Sequence, residues 1–274
     1  MKTAIVFLCK EINGNTLAFA NEIANKNFAH VYIVSDELEK YFVGLPDMNW
    51  ITNTTHPATK FYVRDSACIK DGYVGCNISE TATHIKKQVI AYDKFLWIFA
   101  RLQFGGYDNI WVFEDDCFIP SIDALINLNE KYKKFDLVTA NNFLKRDRIN
   151  DWHWNYIVNR IEAPYYYSMV CAAMFSKRML AEIKNYVDAN CRLFYIEAMF
   201  NTIAMQKGLK VTDASELKSI VWMGEWGLDE FVQLPNNIFH PIKDLEKHKE
   251  FRKDIQTAKT VGYKPTKELP AFLR

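Results

Sequence analysis

Three consecutive carboxylates, Glu114-Asp115-Asp116, follow the apolar run Asn109 to Phe113 (NIWVF). A buried strand avoids carboxylates because desolvating an unpaired charge costs on the order of several kcal/mol, so three at its end call for a compensating cation. A hard divalent ion suits them: Mg²⁺ and Mn²⁺ take carboxylate oxygens together with the phosphates of a substrate. Alternate strand residues point the same way, which places Glu114 and Asp116 on one face and turns Asp115 into the protein. A solvated acidic turn is the plainer reading of these residues. Their place at the carboxyl end of an apolar strand, where open α/β sheets bind ligands, favours the metal.

The elements that must position this cluster read as follows. Thr3 to Leu8 and His30 to Ser35 are apolar strand-like runs separated by a helical stretch from Thr16 to Lys26, a β-α-β opening. The first turn, CKEINGNT, holds one glycine, so a dinucleotide fingerprint is absent. Leu45 to Gly75, with Pro46, Pro57, Gly72 and Gly75, reads as surface loops. Ser79 to Phe104 carries apolar residues at helical spacing and reads as a long amphipathic helix stopped by Gly105-Gly106. After the acidic strand come a strand pattern at Phe135 to Ala140, another in SMVCAAMFS from Ser168, a helix in KRMLAEIKNYV, and a helix starting near Tyr195 and ending at Gly208. The last ~30 residues read as a peripheral helix and tail. These elements predict an α/β fold.

The chain has 274 residues, 34 Lys+Arg against 33 Asp+Glu, and is 49% hydrophobic, a globular composition without a global basic field. Nucleic-acid binding as the main task is thereby disfavoured. The stretch from Tyr165 to Phe175 is far shorter than the ~20 residues that span a bilayer, so no integral membrane segment is expected. The cysteines at 9, 68, 76, 117, 171 and 191 form no CxxC and read as buried free thiols of a reducing compartment. Sequons at Asn53 and Asn77 would suit a lumenal protein if used, and the cytoplasm is the favoured expectation.

With strand, acidic cluster and following FDLVTANN strand in place, the sequence resembles the GT-A type nucleotide-sugar glycosyltransferases, whose hallmark is an Asp-X-Asp-like motif after a buried strand. Here the motif is Glu-Asp-Asp. FYIEAMFNTIA looks like the family's acceptor-side helix bearing a catalytic carboxylate, and IFHPIKD looks like the late histidine that completes its metal site. The resemblance covers residues 1–245 and implies a GT-A-like, Rossmann-like domain with a mixed, mainly parallel sheet flanked by helices. Residues 1–116 would form the nucleotide-sugar half and 117–245 the acceptor half, with 246–274 a C-terminal helix and tail.

By this resemblance Asp116 is the principal ligand of Mn²⁺ or Mg²⁺, with Glu114 touching the ion or the donor ribose and His240 the third contact. The resemblance leaves open how Glu114, Asp115 and Asp116 divide between ion and donor. A half-buried loop histidine is the alternative for His240. Lys243 lies close enough in sequence to meet a diphosphate, and Lys94 matches lysines near the donor, with a solvated ion pair as its alternative. Cys9 and Lys10 in the first turn, and Asp36 after the second strand, would hold the donor nucleoside. The implied reaction moves a sugar from a nucleoside diphosphate donor, UDP by default, to a hydroxyl of a glycan or glycoprotein acceptor, by single displacement with inversion.

Glu197 is the candidate general base, because an apolar run from Leu193 to Met199 would raise its pKa toward working pH. An exposed glutamate on an amphipathic helix is the alternative, with Glu225 and Asp229 in reserve. Trp152, Trp154, Trp222 and Trp226 lie in polar, loop-like sequence where an aromatic face can stack on a sugar. Two other readings remain: a sugar nucleotidyltransferase, which normally needs a glycine-rich, basic first loop, and a non-catalytic glycan-binding module.

Overall fold

The computed structural model describes residues 1–36, 47–53, 56–77, 89–145 and 157–274. The chain opens with β1 (Thr3–Cys9), α1 (Gly14–Asn25) and β2 (His30–Ser35), the expected β-α-β unit. Asn13 caps α1 by accepting the Thr16 N–H at 2.9 Å. Next come β3 (Met48–Asn53), β4 (His56–Val63) and α2 (Asp65–Lys70). The reading of 45–75 as surface loops is thus corrected. β4 runs parallel to β2 and β3 returns antiparallel as the edge of the sheet, where the irregular composition that suggested loops is tolerated.

The long amphipathic helix is also corrected. Positions 79–88 lie outside the described residues, and α3 (Ala91–Leu96) continues as a π-helical turn, Trp97–Arg101. Every residue from Ala91 to Ala100 is buried, so this segment has no solvent face. Its spacing reflects a helix wrapped by core on all sides rather than a surface helix.

The remaining elements are β5 (Asn109–Glu114), α4 (Ile122–Tyr132), β6 (Leu137–Thr139), β7 (Phe143–Leu144), β8 (Tyr166–Tyr167), β9 (Ala172–Ser176), α5 (Lys177–Asn190), α6 (Ile196–Gln206), β10 (Val211–Asp213), α7 (Leu228–Gln233) and α8 (Leu245–Val261). Among the described residues, eight strands form one sheet in the order β10-β6-β9-β5-β1-β2-β4-β3, and β7 pairs antiparallel with β8 in a separate two-stranded sheet. The pairings β1–β2, β1–β5, β2–β4 and β6–β10 are parallel, while β9 is inserted antiparallel between β5 and β6. The fold is therefore the expected mixed, mainly parallel sheet flanked by helices.

Alternation along the central strands feeds two cores. Ala4, Val6, Leu8, Ile110 and Val112 face one layer with α3, α5 and α6, while Ile5, Phe7, Cys9, Trp111 and Phe113 face the other with α1 and α4. Such strands are buried on both sides, which is why they read as continuous apolar runs. No described helix is long and apolar enough to cross a membrane. Cys9, Cys68, Cys76, Cys117 and Cys171 are buried free thiols, as expected, and Cys191 is exposed. The tail after α8 is tied down by Asp229, whose carboxylate accepts from the Tyr263 hydroxyl (2.7 Å), the Thr266 N–H and hydroxyl, and the Lys267 N–H.

Candidate functional site

The three carboxylates sit where β5 leaves the sheet beside the end of β1, with Glu114 paired to Leu8. Strand alternation continues the Ile110 and Val112 face into Glu114 and turns Asp115 to the α1 side, where it shares a small cavity with Phe7, His248 and Arg252. Asp115 also accepts the Lys10 N–H. The Glu114 N–H donates to the Cys171 carbonyl at 2.8 Å, because β9 runs antiparallel to β5 and its preceding residue falls opposite Glu114.

His240 is brought to this cluster by backbone zippering. Phe118 and Phe239 exchange two hydrogen bonds, 2.8 and 3.0 Å, and the Ile242 N–H donates to the Asp116 carbonyl at 2.8 Å. Nε2 of His240 then lies 3.3 Å from Oδ1 of Asp116. Nδ1 of His240 is 2.8 Å from the Val221 carbonyl; an Nδ1–H donates there, so Nε2 faces the carboxylates, as an N–H in the imidazolium and as a lone pair in the neutral ring. The Trp226 indole N–H donates to the His240 carbonyl at 3.0 Å, and its ring packs edge-on against Phe239. One atom each of Glu114, Cys171 and His240 lies within 4.8 Å of the others.

The electrostatics of this arrangement are those of crowded acids. Burial, then the neighbouring Asp116 charge, lifts the Glu114 carboxyl to about 7. The same two causes lift Asp115 to about 6. Burial alone would lower the His240 pKa, but its contact with Asp116 outweighs this and raises it. Asp116 Oδ1 is buried and accepts no well-formed hydrogen bond from the described residues. A site with an underserved carboxylate oxygen, a second carboxylate and an imidazole lone pair fits a divalent cation. Such an ion would offset the like-charge repulsion.

Glu197 opens α6, partly buried. Burial raises its pKa against the opposing effects of a Tyr195 hydroxyl bond and the His240 charge, so it belongs to the same electrostatic neighbourhood. Its placement depends on the segment 72–76. Gly72 (φ +79°) and Gly75 (φ +119°) let that segment lie against 191–193, where added Cβ atoms would come within 2.7 Å of Cys191 and 2.5 Å of Leu193 backbone. The Cys76 carbonyl then accepts the Ile196 N–H at 3.1 Å, while the Cys76 N–H is held by Asp93 at 3.1 Å.

Lys94 is fully buried rather than half of a solvated ion pair. Its ammonium reaches Asp65 at 3.1 Å and the carbonyls of Ser35 and Asp36 at 3.3 and 3.5 Å, pinning the end of β2. The Cys9 thiol is in the core, leaving its backbone to the site; its carbonyl accepts the Asp36 N–H at 2.9 Å. Lys10 and Lys243 are exposed. Among the reserves, Glu225 is exposed and Asp229 is saturated by the tail. Trp222 is 75% exposed, and Trp152 and Trp154 lie outside the described residues.

Cys171 and Trp226 are the contributions that sequence reasoning missed. Cys171 lies in an apolar run, and only the β5–β9 register aims it at Glu114. Trp226 reads from the sequence as a sugar-stacking face, yet its indole holds His240.

No family model matches the chain, and no curated protein matches it by sequence. Among solved structures, an active-site mutant of LgtC aligns at 11% identity over 92% of this chain and 95% of that chain, with a TM-score of 0.45.

Proposed function

We propose that the chain is a metal-dependent glycosyltransferase that moves a sugar from a nucleoside diphosphate donor, UDP in the first instance, to a hydroxyl of a glycan or glycoprotein acceptor. The observation that carries this reading is the convergence of Glu114, Asp116 and His240 at the carboxyl ends of β1 and β5, with Asp116 Oδ1 left without a well-formed hydrogen bond. Asp116, Glu114 and His240 would hold Mn²⁺ or Mg²⁺, and Cys171 stands close enough to join them. When bound, the ion neutralises charge on the departing diphosphate.

The chain's own groups supply the rest. The backbone of Cys9 and Lys10, with Asp36, forms the rim on which the nucleoside would rest, and Lys94 holds that rim through the Ser35 and Asp36 carbonyls. Lys243, three residues past His240, is free to swing toward a phosphate. Glu197 takes the proton of the attacking hydroxyl; burial raises its pKa above the usual carboxylate value, the direction that strengthens a general base, and a Tyr195 hydroxyl lies beside it. The exposed Trp222 offers a sugar-stacking face next to Val221, which receives the His240 ring. The cytoplasm is the compartment we favour, from cysteines spaced without a CxxC or metal-type motif.

The test is nucleotide release from a panel of UDP, GDP, CMP and dTDP sugars with and without Mn²⁺. The reading requires metal-dependent release from at least one of them. Release of pyrophosphate from a nucleoside triphosphate and a sugar phosphate would indicate a nucleotidyltransferase instead, and absence of any turnover with sugar binding retained would indicate a binding module.

A further inference from the structure

We infer that the cleft between α1, the start of α4 and α8 binds a small ligand through a phosphate group, free or as a monoester, seated on the guanidinium of Arg252. The cleft has a volume of about 460 Å³, within the range of roughly 300–1,000 Å³ for small-molecule sites. It lies on the α1 face of the sheet, opposite the Ile110 and Val112 face that continues into Glu114.

Arg252 is the central observation. Its guanidinium carbon stands 3.9 Å from the Phe19 ring centroid and 5.8 Å from that of Phe118, and Nη1 donates to the Ile119 carbonyl at 3.3 Å. Among the described residues no carboxylate pairs with it. A half-buried arginine normally recovers its lost hydration from an acid; here the flat of the fork is fixed by aromatic stacking while Nε and Nη2 donate to no described residue. Burial accordingly lowers its pKa to about 10, and the charge of Glu22 only partly offsets this. A planar fork held in this way is pre-organised for an oxyanion.

Three further cations line the cleft, Lys26, Lys249 and Lys253, and none is ion-paired among the described residues. The N-terminus of α4, capped by Ser121, opens on the same space, so its dipole adds to the field. Two exposed carboxylates, Glu22 and Asp123, also border it. They leave the cations in excess but repel a broad polyanionic surface, which favours a compact anion reaching the recessed Arg252 over nucleic acid or a membrane.

Arg252 also borders the small cavity containing Asp115, so the test must separate this site from the carboxylate cluster. The full chain is titrated by calorimetry with inorganic phosphate and with glucose 6-phosphate in chelator-containing buffer. Modification of Arg252 by phenylglyoxal is followed in parallel by mass spectrometry. Both probes should protect Arg252 in a saturable way, and tighter binding of the ester would show that its sugar also contacts the cleft. Arg252→Gln should weaken binding by about tenfold or more, as loss of a charge-assisted contact does. The exposed double variant Lys249→Gln/Lys253→Gln, which leaves the core untouched, should weaken it several-fold, and Asp116→Asn should leave it unchanged. The inference is overturned if neither probe binds or protects Arg252, if the double lysine variant binds like wild type, or if binding is lost with Asp116. Binding only to phosphatidylserine-containing vesicles or to DNA would also overturn it.

Discussion

Nε2 of His240 faces Oδ1 of Asp116 across 3.3 Å, although Asp116 follows β5 and His240 lies just before α8. The contact exists because residues 116–118 and 239–242 are zipped by backbone hydrogen bonds, and because Val221 and Trp226 clamp the histidine from behind. The site is thus set by main-chain geometry, with the side chains aimed by it.

Trp226→Phe tests that clamp. The variant keeps an aromatic ring against Phe239 but loses the indole donor to the His240 carbonyl. Stability should fall by about 1 kcal/mol, the net worth of one hydrogen bond. Mn²⁺ affinity, read by calorimetry, should fall by about tenfold, as for other partners that orient a metal ligand. Unchanged affinity would show that His240 does not need the clamp.

Cys171 makes the site softer than carboxylates and imidazole alone. Zn²⁺ and Cd²⁺ should therefore compete with Mn²⁺, and Cys171→Ser should weaken Cd²⁺ binding far more than Mn²⁺ binding. Competition titrations read both; equal losses for the two metals would place the thiol outside the coordination set.

Glu197→Gln should depress kcat by a factor on the order of 10²–10⁴ with donor affinity nearly unchanged, because a base acts in the transition state. NMR of the product should show inversion at the anomeric carbon. Retention of configuration, or normal kcat in the variant, would remove Glu197 from this role.

Asp93 links stability to pH. Burial raises its carboxyl to about 7 against the N–H bonds of Ile90 and Cys76. Since the folded value exceeds the unfolded one of about 3.9, its contribution is fully present at low pH and is lost as pH rises through about 7. In metal-free buffer, the melting temperature of wild type should fall from pH 5 to pH 8 more steeply than that of Asp93→Asn. Glu114 and Asp115 have the same sign but are present in both proteins, so they cancel in the difference. Parallel curves would contradict the assignment.

The sequence made the central strands and the acidic end of β5 legible because both-sided burial writes itself as unbroken apolar runs, and three carboxylates conflict with that environment. It concealed β3 and β4, where an edge strand and short turns share the composition of loops. It also misstated α3, since a helix packed on every side shows the same helical spacing as an amphipathic one. Cys171 and the clamp role of Trp226 were hidden for a different reason: both depend on pairings between distant segments, β5 with β9 and 220 with 240, that no local pattern encodes.

In the proposed site Asp116 and its neighbours hold a divalent ion that in turn holds a nucleoside diphosphate. The most direct test is calorimetric titration of Mn²⁺ into wild type and Asp116→Asn, each with and without UDP. Wild type should show one Mn²⁺ site whose affinity rises with UDP. In Asp116→Asn that affinity should drop by at least the ten- to hundredfold that loss of a mere outer partner costs, with the melting temperature of the metal-free protein preserved. Wild-type protein that binds no Mn²⁺, or a variant that binds Mn²⁺ and UDP as tightly as wild type, would contradict the proposal.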